Sequence, residues 1–76
     1  MEVAHPKKVL IADGIKMMQL SLAQMLSGSK YQLLFADSGE DAISKSISQS
    51  PDLLIVDLSL PGISGLDVIR KIRSLQ

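Results

Sequence analysis

Three short apolar runs separate longer segments in which apolar residues recur at helical spacing. The first run, Val9-Leu10-Ile11-Ala12, follows Lys7-Lys8 and stops at Asp13-Gly14. Apolar residues in a row, without polar alternation, suit a strand covered on both faces, and a strand is predicted over 8–13. Ile15, Met18, Leu22 and Met25 or Leu26 then recur at intervals that fit one helix face, with Gly28 after them as a stop. This predicts a helix over 15–26, with its methionines expected in core packing and Met17 off the main stripe. Tyr31 to Ala36 reads as a second strand, over 31–36. Ser38 with Asp41 is a capping-box signal, and Ala42, Ile43 and Ile47 stripe a helix over 39–49 that ends before Pro51. The third run, Leu53-Leu54-Ile55-Val56, ends in Asp57 and predicts a strand over 52–57, with Asp52 as a turn residue at its start. Pro61, Gly62 and Gly65 mark a loop. Ser64 with Asp67 repeats the cap signal, and Leu66, Ile69 and Ile72 line a helix over 65–75. Its end carries Arg70, Lys71 and Arg73, where cations suit the helix dipole. Residues 1–6, with His5 among them, read as a solvated, flexible tail.

Strands alternating with helices in the order β-α-β-α-β-α predict an α/β fold with a parallel sheet and right-handed crossovers. Composition narrows this further. A chain of 76 residues that is 46% hydrophobic and 21% charged is globular in type and amounts to one domain or part of one. At this length only about 60% of the unfolded surface is hidden, so a monomeric core is marginal. Eight basic and eight acidic residues cancel, which removes the electrostatic footprint of a nucleic-acid or membrane binder. The basic set Arg70, Lys71 and Arg73 has no interleaved aromatics, so direct nucleic-acid binding is not expected. No apolar run approaches the roughly 18 residues that span a bilayer, and the N-terminus lacks the order of a signal peptide. Without cysteine there is no disulfide framework or thiolate metal site. A cytoplasmic protein with no membrane partner is the expectation.

In open parallel sheets, ligands bind beyond the carboxyl ends of the strands. Asp13 closes the first strand and Asp57 the third. If these strands are neighbours, two carboxylates meet at one edge, where mutual repulsion calls for a cation or a proton. A hard ion such as Mg²⁺ accepts one or two carboxylates plus water and phosphate oxygens. Either aspartate alone is equally well explained as a turn former or helix cap; the two together, at strand ends, point to an acidic pocket suited to Mg²⁺ and a phosphoryl group.

Val9-Leu10-Ile11-Ala12-Asp13, Ser38-Gly39-Glu40-Asp41-Ala42 and the block from Pro51 to Leu66 together resemble the receiver domain of two-component response regulators. The third block is the specific one: an apolar strand, Asp57, then Pro61 and Gly65. The resemblance implies a flavodoxin-like fold of which residues 7–76 form the first three βα units. It also implies a signalling role in which a histidine kinase or phosphotransfer protein passes a phosphoryl group to an aspartate. Asp57 matches that acceptor. Asp13 matches one member of the family's acidic pair and would hold Mg²⁺, with Asp57 and the backbone carbonyl of Ser59 as further ligands. Such a module is a phospho-acceptor and not a turnover enzyme.

Two departures from the family pattern carry consequences. The acidic pair is Asp13-Gly14, and glycine supplies no carboxylate, so weakened metal binding is expected. That would favour a degenerate receiver acting as a phosphorylation-independent binding or dimerisation module. In addition, the family's Ser/Thr and Lys that contact the phosphoryl oxygens have no match here; Ser59 and Lys71 come from the wrong units. The third strand should then form an open edge, which invites pairing with another chain, and self-association through Leu53–Val56 is the expectation.

Overall fold

The computed structural model describes residues 6–26 and 30–75; the predicted tail at 1–5 and the Gly28 stop lie outside the described residues. The elements are β1 (Lys7–Ala12), α1 (Lys16–Met25), β2 (Tyr31–Ala36), α2 (Gly39–Gln49), β3 (Leu53–Val56) and α3 (Gly65–Ser74). The three strands are parallel and ordered β2-β1-β3, so the first strand is central. β1 starts and stops one residue earlier than the sequence pattern suggests, because Lys7 pairs with Tyr31 while the chain turns at Asp13. β3 is shorter by one residue at each end, although Asp52 N still donates to Lys8 O and Asp57 N to Ala12 O. The Asp52 carboxylate does more than shape a turn: its Oδ2 accepts from Lys8 N at 2.8 Å and fixes the entry to β1.

α2 and α3 start where their side chains allow it. Ser38 Oγ accepts from Asp41 N, and Ser64 Oγ accepts from Asp67 N, each satisfying a donor that has no partner within the helix. Acids occupy both first turns, and Lys71 and Arg73 the last turn of α3, in accord with the helix dipole. Ser50, left-handed at φ 48°, ends α2 before Pro51.

Both helices pack on the face of the sheet that carries Leu10 and Ala12. The core there joins these residues to Ala36, Ala42, Leu60 and Val68, with Leu34, Ile43, Leu54, Val56, Ile63 and Ile72 around them. Two expected stripes are corrected. In α3 the buried apolar residue is Val68, whereas Leu66 is exposed; Gly65, Val68 and Ile72 share the inner face. In α2 Ile47 points to solvent and Ala42 takes the core position.

The opposite face holds Val9 and Ile11, both buried in β1, and is left to α1. This helix overturns the expected methionine packing. Ile15, Met17, Met18, Leu20 and Met25 are all exposed, Met25 at 78%, and the single buried residue of α1 is Gln19. It also has no side-chain cap and no charge in its first or last turn that complements the dipole.

Candidate functional site

Because β1 and β3 are neighbours in register Ala12 to Val56, the next residue of each, Asp13 and Asp57, leaves the sheet at the same edge. Backbone bonds hold both in place: Asp13 N donates to Ala36 O at 3.0 Å, and Asp57 N to Ala12 O at 2.9 Å. Both aspartates border one open cavity of about 350 Å³, shared with Ile15, Met18, Leu22 and Ile55. The structure therefore brings together the two acids singled out in the sequence.

Their environments differ. Asp13 is buried, at 6% exposure, and its Oδ1 accepts from Ile15 N at 2.9 Å across a tight turn. Asp57 is half-buried. Its Oδ1 accepts twice from Ser59, from the backbone N at 3.1 Å and from Oγ at 2.9 Å. Among the described residues no hydrogen bond reaches Asp57 Oδ2. One oxygen is thus held by Ser59. The family resemblance assigns Ser59 a role only through its backbone carbonyl, yet here its backbone N–H and its side chain both touch the carboxylate.

The segment after Asp57 is tied down on two sides. Gly39 N donates to Pro61 O at 3.3 Å, and Ile63 N to Glu40 Oε1 at 3.2 Å, which docks the loop on the N-terminus of α2. A Cβ at Gly65 would lie 2.5 Å from Asp57 O and 2.7 Å from Leu58 Cα. Only a glycine lets α3 begin this close to the Asp57 backbone. Gly14 is the seat of the Pro61 ring: a Cβ there would lie 2.8 Å from Pro61 Cδ. The position that lacks an acid is therefore closed by the loop that carries Asp57.

A third acid stands at the same end of the sheet. Asp37 comes directly after β2 as Asp13 does after β1 and Asp57 after β3, a regularity that the sequence itself displays. Its carboxylate is engaged by α1. Gln19 Nε2 donates to its Oδ1 at 2.7 Å and Lys16 Nζ lies 3.1 Å from the same oxygen. The Gln19 hydrogen bond first, and that of Lys16 second, hold the Asp37 carboxyl below the usual carboxylate range. Among the described residues no three acidic or histidine side chains gather closely enough to hold an ion. Two carboxylates on one cavity form a hard oxygen set that fits Mg²⁺, which needs only one or two of them beside water and phosphate.

Comparison with known proteins bears on the family and the fold. A family model described as the response regulator receiver domain matches residues 9–76. The chain is 33% identical over 67 residues to the alkaline phosphatase synthesis transcriptional regulatory protein PhoP of Bacillus subtilis, covering 88% of this chain and 28% of that protein. It is 32% identical over 74 residues to the transcriptional regulatory protein PdtaR of Mycobacterium tuberculosis, covering 96% of this chain and 36% of the relative. The chain thus spans about a third of these relatives. Among solved structures it matches a receiver domain described as that of a Luxo repressor protein from Vibrio parahaemolyticus. The TM-score is 0.87 at 29% identity, over 91% of this chain and 53% of that one. A response regulator receiver domain protein from Clostridium thermocellum superposes with a TM-score of 0.84 over 92% of this chain and 57% of that one; at 24% identity it supports the fold alone.

Proposed function

This chain belongs to the response regulator receiver family, and we propose that within it Asp57 accepts a phosphoryl group from the phosphohistidine of a histidine kinase or phosphotransfer protein. The observation that carries the reading is the Asp57 carboxylate itself. It stands beside Asp13 at the carboxyl edge, with Oδ1 held by Ser59 and Oδ2 unengaged. Attack by Oδ2 on phosphorus forms the acyl phosphate as the phosphorus–nitrogen bond breaks, and the electron pair returns to the imidazole of the donor. Such transfer depends on positioning and on electrostatic compensation more than on covalent help from the protein. Asp13, Asp57 and the Ser59 carbonyl would hold Mg²⁺, which when bound offsets charge on the phosphoryl oxygens. The Ser59 Oγ and N–H orient the carboxylate, while Pro61 on Gly14 and Ile63 on Glu40 keep the loop in position. The kinase partnership implies a cytoplasmic setting, and among the described residues no helix is long and apolar enough to cross a membrane.

Binding of beryllofluoride, a phosphoryl analogue, in the presence of Mg²⁺ tests the reading. Calorimetry should register binding to the wild type and none to Asp57→Ala. Gly14 favours a second reading, a degenerate receiver that works as a binding module without phosphorylation. Absence of any beryllofluoride response in the wild type would select it.

The same reading includes self-association with a second copy through β3. Among the described residues that strand pairs with β1, and Leu53 on it is exposed. With no net charge to keep copies apart, an open parallel edge is a template for strand addition. Light scattering at low micromolar concentration should give a mass above that of the monomer; a clean monomer that unfolds cooperatively contradicts it.

A further inference from the structure

The buried residue of α1 is polar: Gln19 is 5% exposed in a helix whose three methionines lie in solvent. A buried amide is costly unless its groups are bonded. Here the Nε2 protons serve the Asp13 carbonyl at 2.6 Å and Asp37 Oδ1 at 2.7 Å, with the Ala36 carbonyl at 3.5 Å. All three partners are acceptors, so the nitrogen of the amide faces them and the oxygen does not. One side chain thereby joins α1 to the carboxyl ends of β1 and β2.

Its bond to the Asp13 carbonyl acts on the Asp13–Gly14 peptide, against which the Pro61 ring also packs. Asp13 N is fixed by Ala36 O, and Asp13 Oδ1 engages Ile15 N. The carbonyl is the third point, and the bond from Gln19 is what reaches it from the helix. The other end of that amide is anchored by Asp37, which Lys16 holds in turn.

We propose that Gln19 is a positioning residue for the acidic pair: bonded to the Asp13 carbonyl and anchored on Asp37, it holds the Asp13–Gly14 peptide so that the Asp13 carboxylate meets a divalent cation beside Asp57. This rests on the reading of Asp13 and Asp57 as the cation pocket. Groups that orient a ligand from behind commonly change metal affinity by about 10–100-fold when removed; with Asp13 also held by two other bonds, the lower end is expected.

Mn²⁺, a paramagnetic substitute for Mg²⁺, makes this measurable by electron paramagnetic resonance without any phosphoryl transfer. Asp13→Ala tests the underlying pocket: unchanged Mn²⁺ affinity in that variant removes the pocket and, with it, the role of Gln19. Where Asp13→Ala loses binding, Gln19→Leu should weaken Mn²⁺ about tenfold while circular dichroism retains the wild-type spectrum. Gln19→Arg, which keeps N–H donors facing the same acceptors, should restore affinity. Should Gln19→Leu fail to fold, the exposed Asp37 carries the test. Asp37→Ala removes the anchor and should weaken Mn²⁺ severalfold, whereas Asp37→Asn keeps an acceptor oxygen and should bind nearly as the wild type does. Wild-type affinity in folded Gln19→Leu or in Asp37→Ala overturns the proposal, as does an Asp37→Asn protein that loses as much as Asp37→Ala.

Discussion

The two faces of the sheet are held by different physics. On the face bearing Leu10 and Ala12, α2 and α3 are capped by Ser38 and Ser64 and bury Ala42 and Val68 in a continuous apolar cluster. On the other, α1 lies over the buried Val9 and Ile11 but has no side-chain cap, exposes its methionines, and buries one residue of its own, Gln19, whose amide bonds the strand ends. Apolar burial is non-directional and supplies most of the stability. A hydrogen bond to a buried partner adds less net energy but fixes direction. The α2/α3 face therefore maintains the fold, while α1 supplies orientation beside Asp13. The division matches the placement of the site, at the edge where both contributions meet.

The largest test of this contrast is a pair of truncations. Leu10→Ala, in the fully buried centre of the α2/α3 face, should cost about 2–5 kcal/mol in urea denaturation. Met25→Ala, on exposed α1, should stay within about 0.5 kcal/mol. Similar losses at both positions would abolish the distinction. Next is Gly65→Ala. The new methyl meets backbone atoms of Asp57 and Leu58, which cannot rotate away, so a cost of about 1–3 kcal/mol is expected, together with altered amide shifts at Ser59 in NMR spectra.

Gly14→Asp probes the polar side. A third carboxylate should tighten Mg²⁺ by about tenfold, in line with charge-assisted contacts of about 1.5–3 kcal/mol reduced by the cost of displacing the Pro61 ring. Calorimetry showing no gain would mean that the loop does not yield. The smallest effect is expected in acid. The Asp37 pKa is lowered in the folded protein by Gln19 and Lys16. Its stabilising contribution is therefore present above the ordinary carboxylate range and is lost as the pH falls through the lowered value. Solvent screening keeps this contribution small. Asp37→Asn should remove that part of the acid limb in thermal melts, leaving stability near neutral pH little changed.

The sequence made the strand ends legible because apolar runs stop abruptly at Asp13 and Asp57, and the cap signals at Ser38 and Ser64 work through local bonds that need no tertiary partner. That the two acids meet was conditional on their strands being neighbours, which the observed order β2-β1-β3 supplies. The facing of helices was harder to read. Ile15, Met18, Leu22 and Met25 do recur at helical spacing, but periodicity says only that a face is apolar, not that anything covers it. Val68 escaped notice because Leu66 satisfies the same spacing from the wrong side. Gln19 and Asp37 escaped it because neither lies in an apolar stripe or in the blocks that carry the family resemblance. What makes them structural is a contact between residues far apart in the chain.

The central claim is that Asp57 is the phosphoryl acceptor. Wild-type protein and the near-isosteric Asp57→Asn variant should be incubated with phosphoramidate and Mg²⁺, and their intact masses compared. The wild type should gain the mass of one phosphoryl group, acid-stable but labile to base as an acyl phosphate is, while Asp57→Asn gains none. A phosphoryl group that persists on Asp57→Asn, or a wild type that never acquires one while binding Mg²⁺, would contradict it.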